Sequence, residues 1–143
     1  MSTAEADNVE ADYHELCAYT LTRGDAAFVH QHVVDAWAAQ QATTRSKPIG
    51  VFFALLGLYL HVEHGWTGKA VQRLHMQLAK RPEPWPVGPL PDSRGTMSAT
   101  DVMAVPPGPA RDAEISRWAA SVWEAFVDSR STIQALLRRR GVL

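Results

Sequence analysis

A chain of 143 residues has the length of one domain with a real core. It is 46% hydrophobic and 20% charged, with a net charge of −1, which excludes the broad basic field that nucleic-acid binding uses. Its single cysteine, Cys17, excludes an internal disulfide and an all-cysteine zinc site.

The first residues, MSTAEADNVEAD, are polar and acidic, unlike a signal or transit peptide. Residues 1–8 read as a frayed start. From Val9 to about Thr22 the pattern fits a helix with Tyr13, Leu16, Cys17, Thr20 and Leu21 on its less polar face. Arg23 and Gly24 end it, a cation in the last turn followed by a C-terminal glycine. Asp25 is the expected N-cap of a second helix, Ala26 to about Thr43. That helix is rich in alanine and places His32 and Asp35 on one face.

The run Pro48 to Gly65, PIGVFFALLGLYLHVEHG, is the most apolar in the chain. Helical spacing divides it into two faces, Phe52, Phe53, Leu56, Tyr59 and Leu60 on one, and Gly50, Ala54, Gly57, His61 and His64 on the other. Small residues on the second face admit a close neighbour, so this helix should pack antiparallel to the second. Its apolar part, Ile49 to Leu60, is too short for a membrane span. A fourth helix is expected from Gly68 to about Lys80 with Thr67 as its cap, burying Val71, Leu74, His75 and Leu78. The Gly65–Lys69 stretch lacks the full spacing of a phosphate loop and follows a helix, so capping accounts for it better.

Residues 81–109 form a proline-rich region that cannot be regular helix. Trp85 and Leu90 should pin it to the core. Asp101–Val105 is a short element of open type. A last helix begins near Ala110 with Ile115, Trp118, Ala119, Val122, Trp123 and Phe126 on a wide apolar face. It continues, or kinks near Asp128, into Ile133, Leu136 and Leu137. Residues 138–143 form a basic end, with Arg138–Arg140 suited to a helix C-terminus. The expectation is one all-α domain over residues 1–143, a bundle of four to five helices with a long proline-rich loop.

Chemistry is sought at the histidines. His14 with Cys17, His32 with Asp35, and His61 with His64 each stand three apart, so each pair points one way on a helix. His75 lies beside the apolar stripe of the fourth helix. His14, His32, Asp35, His61, His64 and His75 are therefore the candidate ligands of a divalent transition metal in a bundle core. Imidazole and carboxylate suit Zn, Fe, Mn, Ni or Cu, and the sequence does not choose among them. Against this stands the structural reading. There is no His-Glu-x-x-His and no Cys-x-x-Cys, and histidines near a helix C-terminus are stabilised there without a metal. Cys17 beside His14 has the elements of a thiolate nucleophile but no third orienting group.

The stretches YHELCAYTL (13–21), FVHQHVVDAWAAQ (28–40), KPIGVFFALLGLYL (47–60), TGKAVQRLHM (67–76) and the W-x-x-x-x-W segment (118–123) together resemble an uncharacterised bacterial family known only as a domain of unknown function. The likeness spans about Asp12 to Phe126. It implies no reaction, and it directs attention to His14, His30, His32, Asp35 and His75. Some members begin with a cysteine-rich segment like a small zinc-binding turn, which this chain lacks.

Three functions follow as expectations. One is a metal-binding helical bundle, with a metal-dependent enzyme acting on a small molecule as its catalytic form, led by His32, Asp35, His64 and His75 with His14 and His61 next, and with Trp85 and its loop as cover. The alternative is a non-catalytic binding or assembly module with structural histidines, joining a partner or a second copy through Trp118, Val122 and Trp123. The third is a metal-free enzyme using histidine as general acid or base. A cytoplasmic location is expected, with no nucleic-acid or membrane partner.

Overall fold

The computed structural model describes residues 3–143. Among them are seven α-helices and no strand: α1 (Thr3–Arg23), α2 (His30–Gln40), α3 (Pro48–His64), α4 (Gly68–Ala79), α5 (Ala99–Met103), α6 (Pro109–Ala125) and α7 (Arg130–Arg139). A 3₁₀ turn, Val127–Ser129, joins the last two. The all-α class stands, and the count of four to five helices is corrected to seven. Two of the additional helices are short: α5 lies inside the proline-rich region, and α7 follows the kink at Asp128. No helix of the described residues is long and apolar enough to cross a membrane.

Of the expected frayed start, residues 1 and 2 lie outside the described residues, and the rest is corrected because α1 is already helical from Thr3. It packs on α2 and α5 and buries only Leu16 and Thr20 fully. Helix α3 falls on its expected bounds. Pro48 occupies its first turn, and Gly65 closes it at φ 69°, the left-handed geometry that glycine adopts without strain. Its two faces are not one buried and one open: Val51, Phe52 and Ala54 to Leu60 are all buried, because α2, α4 and α6 surround it. Thr67 caps α4 as expected, its hydroxyl accepting from the Ala70 amide at 3.1 Å.

Helix α2 starts later than Asp25 suggests. The Asp25 carboxylate instead accepts from the Val29 amide at 3.1 Å, closing a turn ahead of the helix. Phe28 within that turn has φ 55°, unusual for a bulky side chain. The turn lies on the start of α4, where the Lys69 amide donates to the Ala27 carbonyl at 2.9 Å. A Cβ at Gly68 would stand 1.9 Å from the Phe28 carbonyl oxygen, so only glycine permits this approach.

The proline-rich segment is held at both ends. The Gln40 amide donates to the carbonyls of Arg94 and Met97, at 3.1 and 2.7 Å, and its oxygen accepts from the Trp118 indole at 3.1 Å. Arg94 returns bonds to the carbonyls of Gln40 and Ala42. At the other end Glu83 pairs with Arg139 and Arg140, and Arg140 lies over the Trp85 ring. These arginines therefore clamp the loop in addition to ending α7. Trp85 in turn packs on Phe52 and Phe53. Gln40→Leu leaves the indole donor and two loop carbonyls without partners. It should cost about 1–3 kcal/mol and speed proteolytic cutting between residues 81 and 98, read by melting and limited proteolysis. Equal cutting in both proteins would refute the Gln40 anchor.

Candidate functional site

Antiparallel α2 and α3 bring the central polar residues together. His32 and Asp35 stand three apart on α2, and Gly57 and His61 four apart on α3, so each pair occupies one face. The imidazoles of His32 and His61 stack, with centroids 3.5 Å apart and planes 17° from parallel. One turn along, Asp35 occupies the space that Gly57 leaves: a Cβ at Gly57 would lie 2.0 Å from Asp35 Oδ2.

His32 and Asp35 are both buried. Asp35 Oδ1 accepts from the Gln31 amide at 3.0 Å. Oδ2 is, among the described residues, the buried side-chain polar atom left without a hydrogen-bond partner. Burial raises the Asp35 pKa well above the ordinary carboxyl value, only partly opposed by the Gln31 bond. Burial also takes His32 down to about 3, helped by the neighbouring His61 and opposed by Asp25. Both groups thus favour their uncharged forms.

His61 reaches from this interior to the surface. Its Nδ1 lies 3.1 Å from the Trp66 carbonyl oxygen and its Nε2 3.2 Å from Ser116 Oγ on α6. A carbonyl only accepts, so Nδ1 carries the proton. In the neutral ring Nε2 then accepts from the Ser116 hydroxyl. Burial lowers the His61 pKa, with the Trp66 carbonyl opposing, so the neutral ring is the form favoured at pH 7. His61 is half-buried and Ser116 exposed.

The other candidates are dispersed. His14 is exposed on α1 beside Glu10, not joined to Cys17. Cys17 instead bonds Tyr13, and burial pushes its thiol pKa up, away from a thiolate. His64 points back to the Tyr59 hydroxyl at 2.8 Å rather than alongside His61. His75 donates from Nε2 to the Phe53 carbonyl at 2.8 Å and stacks on the Phe53 ring. Burial lowers its pKa to about 4. His30 Nδ1 lies 2.9 Å from the Thr20 hydroxyl. The six candidate ligands are therefore not gathered at one place. Among the described residues, no group of three or more His, Cys, Asp or Glu side chains is placed to hold a metal ion. The Trp118, Val122 and Trp123 face suggested for a partner is buried within the chain's own core.

Ser116 was not legible from the sequence. It is one of two serines on α6, 55 residues from His61, and no local motif marks it. Trp85 packs into the core edge, as expected of a residue that pins the loop; the clefts along the loop are lined by residues such as Asp92, Thr96, Pro86 and Ser129. One near Gln40 and Asp101 has a volume of about 400 Å³.

The fold and this polar seam define an all-helical bundle with a histidine pair in its centre. The chain belongs to a family of unknown function, DUF5946, whose model matches residues 10–127. No curated protein and no solved structure matches it.

Proposed function

We propose that this chain is a metal-free enzyme acting on a small molecule, with His61 as general base. The observation that carries this reading is the division of labour at the His61 ring. Nδ1 is committed to the Trp66 carbonyl, and Nε2 is presented as an acceptor toward solvent-facing Ser116. A base needs a fixed tautomer, a neutral ring at working pH and an accessible nitrogen. His32, stacked behind, holds the ring's plane.

A second reading, a binding or assembly module with structural histidines, draws support from His30, His64 and His75, each spent on a packing bond. A metal-dependent enzyme is the third reading, and it lacks, among the described residues, a group of three or more His, Cys, Asp or Glu side chains placed to hold an ion. One set of measurements separates the three. The probe is p-nitrophenyl acetate, with elemental analysis of protein purified without added metal. We expect hydrolysis that survives chelation and falls on the order of 100-fold in His61→Gln. One metal per chain, with activity lost on chelation, would replace this reading with the metal-dependent one. Hydrolysis indifferent to His61 would leave the binding module, to be pursued by light scattering.

A further inference from the structure

Helix α6 brings a hydroxyl nucleophile to the base just described. We propose that Ser116 is a catalytic nucleophile, activated by His61, and that the site takes small carboxylic esters through an acyl-serine intermediate. The inference rests on His61 acting as a base and adds the group it acts on.

The geometry is that of a nucleophile, a base and an orienting acceptor in series. Ser116 Oγ lies 3.2 Å from His61 Nε2, and His61 Nδ1 lies 3.1 Å from the Trp66 carbonyl. Hydrogen-bond reach between nucleophile and base, with the base fixed by a third group, is what nucleophilic catalysis requires. Three separate segments supply the parts: α3, the corner after it, and α6. The third group here is a backbone carbonyl, which fixes the tautomer without bringing a charge. His32, 3.5 Å behind the ring, is a positioning residue that prevents His61 from tilting away. Ser116 is exposed, so an ester reaches Oγ without displacing core side chains. The exposed setting of Ser116 favours a small substrate over a long chain.

In the first half-reaction, Oγ attacks the ester carbonyl carbon while its proton passes to Nε2. The bond from that carbon to the leaving oxygen breaks, the departing alkoxide takes the proton from Nε2, and acyl-Ser116 remains. In the second, Nε2 takes a proton from water as its oxygen attacks the acyl carbon. The bond to Oγ breaks and the proton returns to Oγ. Ester and water are consumed, acid and alcohol released, and no oxidant or metal is needed.

The test uses the full chain with p-nitrophenyl acetate, followed by peptide mass spectrometry. The expected result is an acetyl group on Ser116 and an initial burst of nitrophenol. Ser116→Ala should abolish both and slow turnover on the order of 100-fold. His61→Gln should prevent acetylation although Ser116 is present, with melting curves confirming that each variant is folded. His14→Ala, which removes an exposed imidazole, should change nothing. If Ser116→Ala keeps full activity while His61→Gln loses it, the nucleophile is overturned and the base reading survives, with water attacking the ester directly. An acetyl group found elsewhere overturns the nucleophile, and if both variants keep full activity both readings fail.

Discussion

Lowering the pH from 7 to 5 is expected to reduce the melting temperature of the Asp35→Asn variant by roughly 10–15 °C, and that of the parent by less. His32 and His75 are held neutral by burial, at about 3 and about 4. In the unfolded chain each titrates near ~6.5. A depressed histidine contributes stability that is present above its unfolded value and lost as pH falls toward the folded one. At pH 5 the unfolded state gains about 2 kcal/mol of proton binding at each of these two positions. Together they remove a large part of a typical domain's roughly 5–15 kcal/mol. Asp35 acts in the opposite direction. Its folded pKa is raised, so its contribution is full below the unfolded carboxyl value and is lost as pH rises. Acidification therefore restores in the parent some of what the histidines lose. Asparagine preserves the bond from Gln31 and removes the titration, so the histidines' loss is no longer offset at this position. Thermal melts at pH 5 and 7 decide it: a flat melting temperature in Asp35→Asn would refute the buried neutral histidines.

Gly57→Ala is the second substitution with a large expected effect. Exposed in a helix, it would gain about 1 kcal/mol from propensity. Here the added Cβ meets Asp35 Oδ2 at 2.0 Å, Asp35 Cγ at 2.8 Å and Val71 Cγ1 at 3.0 Å. The net result should be a loss of about 2–3 kcal/mol. The clash is with a side chain, so it has a rescue. Asp35→Ala frees the space and removes the unpartnered oxygen in one step. The double variant should be more stable than Gly57→Ala alone, with a coupling of about 1–3 kcal/mol. Additive losses in denaturant titrations would show that the two positions do not share the space. Gly68→Ala is the contrasting case, because its Cβ meets the Phe28 backbone oxygen and no side-chain truncation relieves it.

The local rules of helix formation were readable along the chain, and they located α3 and α4 closely. Pro48 and Gly65 bound one helix and Thr67 caps the next, because these residues act through their own backbone or the first turn. Asp25 illustrates where local rules end. Its carboxylate caps a turn rather than a helix, since the chain there must lie across the start of α4. The short element expected near Asp101–Val105 is helix α5, and its type stayed open because five residues carry too little periodicity.

For the site, spacing determined that His32 shares a face with Asp35, and Gly57 with His61. The periodicity of one helix is enough to say so. Spacing equally placed His61 beside His64, and there it misled: the half-exposed end of α3 lets each ring take a separate partner, Ser116 and Tyr59. What the sequence by itself determined was an all-α chain with histidines on its central helices. Which of them meet, which nitrogen carries the proton, and which serine stands before it were decided by the packing of α2 and α6 on α3. Those contacts join residues far apart in the chain, and their angles and distances exist only once the helices are docked.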